Sequence, residues 1–136
     1  MVNGIQTLNA LRYRTTAWPM GLESPFHEEV GYWLWDAAAK QVLRCFIVPR
    51  GIAVNAGGTA EANTKSFTMT AEAGSETYGV LSNRYLDTHV KTVRYELAVT
   101  IHSEDRFSYA EDTQQQIYGQ ETTFHHTDNN TLIRCK

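Results

Sequence analysis

The chain has 136 residues, with 12 Lys and Arg against 15 Asp and Glu, a net charge of −3 and a pI near 5.9. That length fits a single domain over residues 1–136, large enough to bury a core without disulfide or metal staples. The mild acidity gives no basic face for nucleic acid and no polybasic segment for anionic lipid, and the longest apolar runs, Tyr32–Trp35 and Cys45–Val48, fall far short of a membrane span.

Along the chain, period-two alternation dominates and no segment carries a sustained 3.6-residue apolar repeat. The opening residues lack the basic start and apolar stretch of a secretory signal, so a cytoplasmic protein is expected. Ile5 to Trp18 reads as a first strand, with Leu11, Tyr13 and Thr15 on one face and Arg12 and Arg14 on the other. An aromatic-rich strand from Phe26 to Trp35 leads through Asp36-Ala37-Ala38-Ala39-Lys40 into a strand from Gln41 to Val48. Pro49-Arg50-Gly51 breaks the pattern, because proline removes a ladder donor. A short strand, Ile52-Ala53-Val54, is expected before a turn at Ala56-Gly57-Gly58.

Ser66 to Ala71 and Tyr78 to Leu81 read as further strands, and Ser82 to Asp87 as a short helix or lid. The clearest alternation places Val93, Tyr95, Leu97, Val99 and Ile101 on one face, with Thr92, Arg94, Glu96 and Thr100 on the other. A polar turn, Ser103 to Arg106, precedes a strand beginning at Phe107, and a last strand carries His125 and His126. Eight or nine strands at this spacing are the pattern of a sandwich or barrel, and the all-β chain reads as one antiparallel β domain.

Cys45 and Cys135, without CxxC spacing, are expected to be reduced and mostly buried. The sequon at Asn129-Asn130-Thr131 is read as a chance match. Ser75 and Ser82 have no histidine and acid at motif spacing, and Gly57-Gly58 has no lysine or helix start behind it to make a phosphate loop. His27-Glu28-Glu29 lacks the second histidine of a zincin and is expected at a strand entry.

The histidine pair is the sharpest chemical feature. A neutral imidazole on a barrel strand is a ready axial ligand for haem iron, and Tyr32, Trp33, Trp35, Phe46 and Tyr95 are the aromatics that would wall a slot for the macrocycle. Neighbouring strand residues face opposite ways, so only one of His125 and His126 enters the interior. Arg50 reads equally as a fork for a propionate or ligand carboxylate and as an outward arginine. His126-Thr127-Asp128 also matches the His-x-Asp part of a two-histidine, one-carboxylate iron site, which would need a third ligand from His27, His89 or His102.

Phe26-His27-Glu28-Glu29-Val30-Gly31-Tyr32-Trp33-Leu34-Trp35-Asp36 resembles a bacterial branch of the nitrobindin-like family. So do Pro49-Arg50-Gly51, Gly74 to Gly79, Leu81-Ser82-Asn83 and Phe124-His125-His126-Thr127-Asp128, in the same order from about Leu11 to Arg134. The resemblance implies a ten-stranded haem-binding barrel with an apolar pocket at one end, and hence for this chain an antiparallel up-and-down β-barrel of the lipocalin or fatty-acid-binding type, with eight or nine strands and possible incompleteness. It implies ferric haem, taken as haem b, held by His126 with His125 as the competing position. It also implies an open distal site for nitric oxide or for isomerising peroxynitrite to nitrate.

The alternative is a non-enzymatic carrier of a fatty acid or another hydrophobic small molecule. The family's opening Gly-x-Trp-x-Gly strand has no counterpart here. A barrel short of its first strands exposes two edges, and the chain is expected to form a homodimer through them or to aggregate.

Overall fold

The computed structural model describes residues 8–135. They form β1 (Leu8–Ala17), β2 (His27–Asp36), β3 (Gln41–Val48), β4 (Ile52–Thr59), β5 (Ser66–Ala73), β6 (Gly79–Leu81), α1 (Arg84–His89), β7 (Val90–Ser103), β8 (Arg106–Ile117) and β9 (Phe124–Ile133). One sheet contains all nine strands in the order β1-β2-β3-β4-β6-β5-β7-β8-β9, antiparallel except where β5 meets β6. Residues 5–7 of the expected first strand lie outside the described residues.

The sheet curls into a half-barrel. Its curvature is measured by contacts between distant strands: the Phe46 ring on β3 meets the Tyr95 ring on β7 edge-on, with centroids 5.3 Å apart. Between these strands lie Val42, Val54, Ala56, Met69, Ala71, Leu97 and Val99, all buried. They alternate along β3, β4, β5 and β7, so period two puts every one of them on the concave side. Among the described residues β1 pairs with β2 alone and β9 with β8 alone, which leaves the barrel open between them. Among the described residues there are nine strands, within the eight or nine expected from the sequence.

Several local expectations give way. β4 runs straight through Ala56-Gly57-Gly58 instead of turning there. The glycines serve close approach: a Cβ on Gly57 would overlap the Tyr78 ring, and one on Gly58 would overlap the Thr68 carbonyl oxygen. In β7 a bulge between Thr92 and Arg94 inserts Val93 as an extra residue. Thr92, not Val93, is consequently buried with Tyr95, Leu97 and Val99. The cysteines also differ from expectation, since Cys45 is half-buried and Cys135, just beyond the end of edge strand β9, is exposed.

Asp36 closes the β2–β3 connection by accepting from the amides of Ala38 and Ala39, both at 3.1 Å. Asn83 caps α1 by accepting from Leu86 N at 3.0 Å, and its amide donates to the Arg50 carbonyl at 2.7 Å. That bond ties α1 to the β3–β4 turn.

Candidate functional site

Register decides which histidine looks inward. On β7 the buried residues are Tyr95, Leu97 and Val99, and across β8 they stand opposite Thr113, Glu111 and Tyr109. Those three in turn stand opposite His126, Asp128 and Asn130 on β9. His126 and Asp128 therefore share the concave face with the core, and His125 belongs to the convex face. There His125 meets Asp112, with Nδ1 2.8 Å from a carboxylate oxygen. His126 is exposed, because β9 is the open edge, and its imidazole has no protein partner among the described residues.

The same register sorts the aromatic residues. Trp33, opposite Arg44, and Trp35, opposite Val42, are half-buried on the concave side. Tyr32 sits on the convex side, 49% exposed, and cannot wall an interior slot. Phe46 and Tyr95 do face inward, but they are packed against each other in the filled centre. The five aromatics thus do not line one slot. Arg50 is exposed in the β3–β4 turn, with no ion pair among the described residues.

The centre of the concave face holds an ionic cluster that the sequence reading missed. Arg44, 8% exposed, is bonded through Nη2 to Glu29, itself 5% exposed, and through Nη1 to the Tyr95 hydroxyl. Its Nη1 also reaches Glu111 on β8 at 3.0 Å, and its Nε donates to the Tyr13 hydroxyl at 3.0 Å. The guanidinium carbon lies 5.2 Å from the Tyr13 ring centroid, 5.3 Å from that of Trp33 and 4.8 Å from that of Phe46. Tyr95 donates to Glu111 at 2.7 Å, and Tyr109 donates to Asp128 at 2.7 Å.

Burial first, and then Glu111, raises the Tyr95 hydroxyl far above its ordinary ionisation range. For Arg44 burial acts to lower the pKa but is outweighed by Tyr95, Glu29, Tyr13 and Glu111, so the cation is held more firmly than usual. Arg44 is the lone charged residue of the apolar strand β3, but that alone names none of its partners.

Strand directions place the β1–β2 connection, the β3–β4 turn, α1 and the β8–β9 connection at one end of the half-barrel. Exposed apolar side chains gather there: Trp18, Met20, Leu22, Phe26, Tyr85 and Tyr118. His126 lies two residues inside this mouth, next to Phe124 along the same strand face. Thr92, 3% exposed on the concave side of β7, has a hydroxyl without a partner, one register row nearer the mouth than His126. A free nitrogen donor, an orphaned buried hydroxyl and an apolar mouth together fit an apolar macrocycle with a nitrogen-seeking metal.

One open depression of about 430 Å³ is lined by Ala98, Thr100, Ala110 and Asn129 on the convex face, and another of about 210 Å³ by Arg14, Glu28, Val30, Ile47 and Pro49. No group of three His, Cys, Asp or Glu is arranged to hold a metal ion among the described residues. His126 and Asp128 share a face as the facial-triad reading required, but Asp128 is engaged by Tyr109. His102 meets the Ser108 hydroxyl at 2.8 Å, His89 stacks on Tyr85, and His27 lies 3.4 Å from Glu29.

Compared with known proteins, residues 3–134 match the family model described as "THAP4-like, heme-binding beta-barrel domain". No curated protein and no solved structure matches the chain.

Proposed function

The chain belongs to the THAP4-like haem-binding β-barrel family, and from that premise we propose that it holds one haem at the mouth of the concave face, with His126 as the axial nitrogen. The observation that carries this reading is the contrast between the two histidines. His126 is on the concave face with its imidazole unengaged, whereas His125 is on the convex face beside Asp112. Phe124 offers an apolar contact beside His126, and the Thr92 hydroxyl offers a hydrogen bond to a bound group. Arg50, in the turn at the same end, is available to a propionate. We take the haem as haem b, since no CxxCH attachment sequence is present.

His126 would hold the group, and a bound haem would supply an iron able to take a small ligand. Nitric oxide, or peroxynitrite converted to nitrate, are the reactants we infer from the resemblance to nitrobindins. The protein's own part is to fix the imidazole on a strand and to shield one side of the macrocycle with the filled concave face.

The test is a hemin titration followed by absorbance for the wild type, His126→Ala and His125→Ala. A saturable one-to-one Soret shift, retained in His125→Ala and lost in His126→Ala, is expected. Equal losses in both variants would remove His126 as the ligand, and no specific shift in the wild type would remove haem itself.

A further inference from the structure

We propose that the concave face selects against ligands that bring a carboxylate into it, with Glu111 and Asp128 setting the selection. This rests on the reading that the concave face is the ligand site, and it separates the two ligand classes that an apolar barrel invites. A fatty acid held in a barrel needs a cation for its head group, and the open groups of this face, the Thr92 hydroxyl and the His126 imidazole, are not fixed cations. Here the concave face of the described strands carries three carboxylates, Glu29, Glu111 and Asp128, against the single guanidinium of Arg44, a net charge of −2 with the histidines neutral.

Arg44 is already engaged on all three nitrogens: Nε by Tyr13, Nη1 by Tyr95 and Glu111, and Nη2 by Glu29. Four of its five N–H groups are taken, so an incoming carboxylate would compete with Glu29 and Glu111 for the guanidinium, and either of them, displaced, would stand unpaired beside it. Glu111 and Asp128 are also direct cross-strand partners on β8 and β9. Each is stabilised by one tyrosine hydroxyl, Tyr95 for Glu111 and Tyr109 for Asp128, both at 2.7 Å. A third carboxylate inserted against this pair meets like charge in a half-buried setting, where screening by water is weak.

The ligand that fits is therefore apolar and uncharged wherever it touches this face. A haem would lie with its propionates turned out toward the mouth, and a long-chain alcohol would be accepted in preference to the matching acid.

The experiment compares palmitate with cetyl alcohol, read by tryptophan fluorescence, on the full chain as wild type, Glu111→Gln, Asp128→Asn and the double variant. The wild type is expected to bind the alcohol at least about tenfold more tightly than the acid, because like charges a few ångströms apart in a partly buried site repel by that much or more. Each single substitution is expected to lower the ratio about tenfold, with near-UV circular dichroism unchanged. A wild type that binds both equally, or a ratio that neither substitution moves, overturns the proposal. If the wild type binds neither lipid, new palmitate binding by the double variant supports the proposal and its absence there overturns it. Asp128 lies on the edge strand, so Asp128→Asn tests the charge effect even if Glu111→Gln fails to fold. The hemin titration fails or succeeds separately from this ratio, so loss of the haem reading and loss of this inference are distinguishable.

Discussion

Arg44 gathers more of the interior than any other side chain, and burial makes its partners indispensable to it. A buried guanidinium is tolerable only while its donors are filled; removing it leaves Glu29 as a charge cut off from water and without its counter-ion. Arg44→Ala is expected to cost about 3–5 kcal/mol of unfolding free energy in urea. A loss below about 1 kcal/mol would mean that Glu29 rehydrates once the arginine is gone.

The phenols give a second reading of the same cluster. Burial and then Asp128 push Tyr109 up to about 12 from its ordinary 10.0. Burial also raises Tyr13 and Tyr95, and further. With folded-state pKa values above the unfolded ones, their contribution to stability is complete below about pH 10 and is lost as pH rises through the folded values. Of the seven tyrosines, these three are expected to ionise last in an alkaline ultraviolet titration, together with unfolding. Early ionisation of all seven would show that the cluster is open to water.

None of this was legible from the strand pattern. Leu43, Cys45 and Ile47 are as apolar as Val42 and Phe46, so alternation in β3 does not say which face is the core. The partnership of Arg44 with Glu111, 67 residues away, exists only through the curl of the sheet.

At the scale of elements, the β4 glycines show why a motif read from dipeptide habit can mislead. A Gly-Gly pair is a common turn signal because glycine tolerates any backbone angle, yet here it admits the Tyr78 ring and the Thr68 carbonyl against the strand. Gly58→Ala drives its methyl into backbone, which cannot rotate aside, and is expected to cost more than about 1 kcal/mol, at the overpacking end of core substitutions. A thermal unfolding midpoint equal to wild type would contradict the close approach.

Strands β2, β3, β5 and β7 were readable because each carries an apolar face flanked by turn residues, whereas the polar β8 was legible only at its start, Phe107. The β7 bulge was not, since Val93 continues the apolar alternation in sequence and only the pairing with β8 shows the extra residue. A short helix was expected over Ser82 to Asp87 and forms at Arg84–His89, but its tie to the Arg50 carbonyl through Asn83 needs the folded chain. The histidine pair was legible as chemistry and not as orientation. Which member faces inward depends on the β8–β9 register, counted outward from a core that has to be known first.

The whole molecule is governed by its open seam. Among the described residues the curled sheet does not close and presents two rows of unpaired backbone groups, and both seam strands carry exposed apolar side chains: Leu11, 74% exposed, on β1, and Leu132 and Ile133 on β9. Self-association through these edges is therefore expected, and the two edges are not equivalent. A two-fold β1–β1 contact centred on Tyr13 would set Arg12 of one copy opposite Arg14 of the other, like charges in direct cross-strand register. β9 carries one acid among neutral residues, and a contact centred on Asn129 pairs Asp128 of one copy with Asn130 of the other. An isologous contact of this kind closes as a dimer, whereas a β1-to-β9 contact leaves free edges and continues into fibres. The expected species is thus a dimer through β9, concentration-dependent by light scattering. Asn129→Lys, which places two lysines face to face across that seam, should dissociate it, while Leu11→Lys on β1 should leave it intact. A monodisperse wild-type monomer at every concentration would show that the seam is protected, and dissociation by Leu11→Lys alone would move the contact to β1.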